Sequence, residues 1–108
     1  MTEQERQEIK ARLIESGFWG ADDEGDPTVD GLAAEMLLER VGNRLAKDVN
    51  LLMYGLSANS PVCEYRVRRG EFEYPLDSET SRPLAICKAA LELPEFLKQH
   101  PECAADQK

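Results

Sequence analysis

The sequence predicts an α+β fold, a small antiparallel sheet of about three strands flanked by about three helices. Three observations carry this. Residues 62–76 alternate apolar and polar side chains on both sides of a glycine, the period of a β-hairpin. Three other stretches repeat apolar residues at helical spacing, each bounded by capping residues, glycine or proline. Apolar content of 42% and charged content of 31% are ordinary for one globular domain of 108 residues. The expected layout is a single domain, 1–108: an N-terminal helix and aromatic anchor (1–20), an acidic loop (21–30), an α-β-β-α core (31–100) and a frayed tail (101–108).

Thr2 and Glu5 form a capping box, so a helix runs from there to about Glu15, with Ile9, Leu13 and Ile14 as a narrow apolar stripe. Gly17 ends it and Phe18-Trp19 follows. The aromatic pair either anchors the helix on the core or offers a contact to a partner. Residues 21–30, ADDEGDPTVD, form a loop punctuated by Gly25 and Pro27. Asp22, Glu24 and Asp26 alternate as calcium ligands would. Pro27 and Val29 break that pattern, and Glu35, 13 residues after Asp22, lies beyond the end of a 12-residue calcium loop begun there.

Thr28 or Asp30 caps a second helix from about Leu32 to about Lys47. Ala34, Leu38, Val41 and Leu45 form its inward face, widened by Met36 and Leu37. The next apolar run fits either helix or strand; Gly42-Asn43 and Asp48 to Asn50 are poor helix interiors, which favours a strand across Leu51 to Leu56. In the hairpin, Arg69-Gly70 is expected as the turn. Val67 then faces Phe72, Tyr65 faces Tyr74, and the pairs Arg68–Glu71 and Arg66–Glu73 contribute roughly 0.2–1 kcal/mol each. Pro75 marks an edge strand or the end of the strand. Pro83 opens a last helix whose inward face is Leu84, Cys87, Ala90 and Leu91 with Ile86 beside them; Pro94 breaks or kinks it before a short turn over Glu95 to His100.

The segment Pro83-Leu84-Ala85-Ile86-Cys87 with Ala89-Ala90-Leu91, following an aromatic-edged hairpin, resembles the C-terminal signature of the phage ABA-sandwich domain proteins. Asp30 to Gly42 is similar to that family's first helix. Together these cover about a quarter of the chain. The family's tryptophan after the first helix and its middle tyrosine-serine-threonine helix start are missing, and an N-terminal helix and acidic loop are added. The resemblance implies an antiparallel sheet with helices on its faces, a phage or prophage origin, and no catalytic residues to carry over.

The chemistry-bearing residues are sparse. Cys63, Cys87 and Cys103 are odd in number and lack close spacing, so they are expected as reduced thiols, Cys63 and Cys87 in the core. His100 and Cys103 form the one close pair of zinc-type ligands, and they lie on a tail. Phosphate-loop, dinucleotide and metalloprotease motifs do not occur. No enzyme, cofactor or metal is expected. The polar N-terminus is not a secretory signal, and no run approaches the roughly 20 apolar residues of a membrane span, so a cytoplasmic protein without membrane contact is expected.

The net charge is −8, of which residues 1–30, with nine acids and three bases, hold −6. Acidity argues against direct nucleic-acid binding, which needs a basic stripe to neutralise phosphates. The expected function is that of a small acidic protein-interaction protein with a basic partner. The alternative is an acidic inhibitor that mimics nucleic acid towards a host nucleic-acid-handling protein, a CRISPR protein being one example. The candidate partner-binding residues are Phe18, Trp19, Asp22, Asp23, Glu24, Asp26 and Arg69, the last left free at the hairpin tip. A homodimer through Leu37 or Leu13 is a further option.

Overall fold

Thr2 starts the first helix by the predicted reciprocal cap: its hydroxyl accepts from Glu5 N–H at 3.2 Å, and its own N–H donates to the Glu5 carboxylate at 3.5 Å. The computed structural model describes residues 2–57 and 60–105 of the chain. α1 (Glu3–Glu15) buries Ile9 and Leu13 and leaves Ile14 partly exposed. At Gly17, with φ +82°, the chain reverses, and the N–H groups of Phe18 and Trp19 both donate to Leu13 O at 3.1 and 3.2 Å.

Asp30 caps α2 (Gly31–Gly42) by accepting from Leu32 N–H at 3.0 Å. Thr28, the other candidate, is buried, and its N–H and hydroxyl both donate to Asp26. The helix is shorter than predicted. It ends at Gly42 instead of near Lys47, and Leu45 leaves it to bridge Ala104. Its buried residues are Ala33, Ala34, Leu37 and Val41; Met36, predicted inward, points out. Leu37 and Leu13 are fully buried, so neither can serve self-association in the folded chain.

The sheet has the order β1 (Val49–Ser57), β2 (Ser60–Arg69), β3 (Phe72–Glu79), all antiparallel. The run that fitted two states is therefore a strand. The hairpin register differs from the predicted one by two residues. Arg69 faces Phe72, Arg68 faces Glu73 and Val67 faces Tyr74, so the turn is Gly70-Glu71. The reason is local. A primed turn needs positive φ at its first central position, and Gly70 takes φ +61° there, where the predicted turn would have strained Arg69. A shift of two preserves the parity of the faces, so Tyr65, Val67 and Tyr74 still share one side. Directly opposite in the register are now Arg68 and Glu73, and Arg66 and Pro75; the predicted Arg66–Glu73 ion pair survives as a diagonal contact at 3.7 Å.

Between Arg66–Pro75 and Glu64–Ser78, β3 carries one residue more than β2. This bulge frees a backbone donor, and Asp77 N–H donates to the Glu92 carboxylate of α3 at 2.7 Å. It also brings Glu79 opposite Cys63, and Glu79 pairs with Lys88 of α3.

α3 (Arg82–Gln99) starts with Pro83 in its first turn and runs through Pro94 without ending. Leu93 is buried, and Phe96 and His100 pack on Tyr74 with ring centroids at 5.4 and 4.5 Å, which holds the last turns in place. α3 buries Leu84, Ala85, Ile86, Cys87, Ala89, Ala90 and Leu93, far more than one stripe. It is the middle layer: β2 and β3 lie on one side, and α1 and α2 pack on the other. The predicted frayed tail is docked as far as Ala105. Pro101–Cys103 form one 3₁₀ turn, Cys103 is buried, and Ala46 N–H and Ala105 N–H close a two-way bridge to Cys103 O and Arg44 O at 2.8 Å.

Candidate functional site

Phe18 and Trp19 are 1% and 2% exposed. They are the anchor of α1 on the core and present no side-chain surface to a partner. Arg44 lies over the Phe18 ring at 4.7 Å and Arg40 over the Trp19 ring at 5.0 Å, so two cations seal the aromatic pair from outside. Arg40 also donates to Phe18 O at 3.0 Å and grips Asp23 with both terminal nitrogens, at 2.7 and 3.1 Å. Asp23 in turn accepts from Gly20 N–H at 2.6 Å.

Two of the four candidate acids are thus engaged within the fold: Asp23 by Arg40 of α2 and by Gly20, Asp26 by Thr28. Asp22 and Glu24 face solvent. The Arg40 hydrogen bond, helped by Gly20 N–H, pulls the Asp23 carboxyl down to about 2. Its contribution to folding is therefore complete above the ordinary carboxylate range and fades as pH falls from about 4 toward about 2. The expected result is that thermal melts of the wild type and Asp23→Asn differ at neutral pH and converge across that window. A difference that persists unchanged at the acid end would rule out the Arg40 pair as its source.

Arg69, predicted free, donates through Nε to Asp48 at 3.0 Å. The register shift explains this, because Arg69 faces Phe72 at the strand end and lies level with Val49. Cys63, Cys87 and Cys103 are buried free thiols, and burial pushes all three up, Cys87 to about 12. At neutral pH they are protonated core residues and not nucleophiles. His100 lies against Phe96 and Tyr74, with Nδ1 3.4 Å from the Glu102 carboxylate. Among the described residues no three His, Cys, Asp or Glu side chains come together as metal ligands. No helix among them is long and apolar enough to cross a membrane.

Two further surfaces stand out among the described residues. One is the outward face of α2, where Leu32 is 81% and Met36 45% exposed. With Leu38, Glu35 and Glu39 they line a shallow open depression, and Glu35 carries an ion pair to Arg82. The other is the outer face of the sheet. There Arg66 lies over the Tyr54 ring at 4.4 Å, donates to Glu64 at 2.5 Å and sits 3.7 Å from Glu73, while Tyr54 OH donates to Glu73 at 2.5 Å. These charges satisfy one another.

Sequence reasoning missed the α2 face because it assigned Met36 to the buried surface. A helical projection separates the positions: at 3.6 residues per turn, Leu32, Glu35, Met36 and Glu39 fall opposite Ala34, Leu37 and Val41. Comparison with protein-family models, with curated proteins and with solved structures gives no match.

Proposed function

We propose that the chain is a non-enzymatic protein-interaction domain that binds a basic partner through the outward face of α2, and that it is phage or prophage encoded as the ABA-sandwich resemblance implies. The observation that carries the binding reading is the exposure of Leu32 and Met36 on a helix whose other face is fully buried. Leu32 and Met36, with Leu38 beside them, form a contiguous apolar patch rimmed by polar residues, the pattern of an interaction site. Glu35 and Glu39 flank the pair, and the N-terminal 30 residues hold −6 of the charge, which favours a partner with Lys or Arg around an apolar anchor. Nucleic-acid mimicry is the weaker alternative, because Asp23 and Asp26 are engaged inside the fold.

The test is a pull-down with the full chain as bait, in three forms: wild type, Leu32→Asp/Met36→Asp, and Asp22→Asn/Glu24→Gln. The expected result is a specific partner retained by wild type and by the acid-to-amide bait, and lost from the α2 bait at unchanged circular dichroism. A partner lost from the acid-to-amide bait and from wild type at high salt, yet kept by the α2 bait, would establish mimicry in its place. A partner indifferent to both pairs would sink both readings.

A further inference from the structure

We propose that β1 is a strand-addition edge that pairs antiparallel with β1 of a second copy, joining two three-stranded sheets into one continuous sheet about a two-fold axis near Leu52. The inference is independent of the α2 face.

The two edges of the sheet are treated differently. β3 is blunted three ways: Pro75 removes a donor, the bulge bends the strand, and Glu92 occupies the Asp77 N–H. β1 has none of these over residues 49–54. It touches the rest of the fold chiefly through β2, so one row of its backbone donors and acceptors faces outward along a nine-residue strand without proline or charge. An open edge of this kind is a pairing site unless something covers it.

The face of β1 is unfinished as well. Leu51 and Met53 stand level with Val67 and Tyr65, on the side of the sheet that carries α3. Val67 and Tyr65 are buried there, but α3 covers β2 and β3, so Leu51 is only half-buried and Met53 is 43% exposed. A two-fold at Leu52 sets Leu51 of each copy opposite Met53 of the other, and Asn50 opposite Tyr54. The first pair completes the apolar side and the second stays on the polar side, so the edge is complementary to itself.

β1 carries no charged residue, which favours an equally uncharged strand, here β1 of a second copy, over a charged peptide. The chain as a whole is at −8, yet residues 47–69 hold four bases (Lys47, Arg66, Arg68, Arg69) and two acids (Asp48, Glu64), a net of +2. Arg66 is matched to Glu64 and Glu73 and Arg69 to Asp48, so the surplus rests on Lys47 and Arg68, while β1 itself carries no charged residue. The two β2 strands would lie three strand spacings apart, roughly 14 Å, beyond the screening length of about 8 Å at physiological salt.

Sedimentation velocity on the full chain, over about a hundredfold range of concentration, tests the proposal. The expected result is a closed monomer–dimer equilibrium that Met53→Lys weakens by at least about tenfold and Met36→Lys leaves unchanged. A monomer throughout, open-ended growth, or a dimer that responds to Met36→Lys and not to Met53→Lys overturns it. Should Met53→Lys alter the circular dichroism, hydrogen exchange of the wild type decides. Amides of residues 50–54 that become slower to exchange with rising concentration support pairing at β1; concentration-independent exchange refutes it.

Discussion

Trp19→Ala is expected to lose about 3–5 kcal/mol of folding stability in urea denaturation, the range for deleting a large buried aromatic. Against a typical total of about 5–15 kcal/mol for a domain, such a loss leaves little margin. The indole is 2% exposed, lies under Arg40 and follows a turn whose amides are tied to Leu13. Its removal leaves a cavity between α1 and the rest of the core and strips Arg40 of its platform. Its Nε1 has no hydrogen-bond partner among the described residues, so the loss is one of packing and not of a polar contact. A loss below about 1 kcal/mol would mean that Trp19 is not a core residue. The result bears on any binding experiment, since loss of binding by Trp19→Ala would report unfolding.

Gly55→Ala is expected to destabilise by more than about 2 kcal/mol, through two effects acting at one position. Gly55 has φ +103°, a conformation that L side chains rarely adopt, and an added Cβ would overlap the carbonyl oxygen of Val62 on β2. Neither conflict can relax alone, because the backbone bends here to pass from the regular β1–β2 register to the irregular pairing of Ser57 with Ser60. Gly70→Ala is the internal control. Gly70 also has positive φ, at +61°, but open space surrounds it, so its alanine variant pays only the conformational cost of about 1 kcal/mol. Chemical denaturation of both variants separates the effects. Equal losses would show that the overlap with Val62 is relieved at no cost.

The legible parts of this fold are those whose causes lie within a few residues. The capping box of Thr2 and Glu5, the stop at Gly17, the cap at Asp30 and the first-turn proline of α3 are all local backbone problems with local solutions. The alternation around Tyr65 and Val67 likewise places those side chains inward whatever they meet there. The candidate site was much less legible. Acids at Asp22, Asp23, Glu24 and Asp26 look equivalent in a list of residues, but Arg40, 17 positions from Asp23, makes one of them structural. Arg69 looked free until Asp48, 21 positions away, was brought beside it.

The amino-acid sequence by itself determined the α+β class, the two hairpin strands, the three helix starts and the core placement of Cys63 and Cys87, and it favoured a strand over the run that became β1. Periodicity and capping act over one or two turns or a single strand, and those distances are written directly in the chain. The tertiary structure alone decided that α3 is the central layer, that Met36 points out and that residues 101–105 dock. Each of these depends on which side of an apolar segment another element occupies. An apolar pattern states that a face must be buried without stating against what, and only the assembled core supplies the partner.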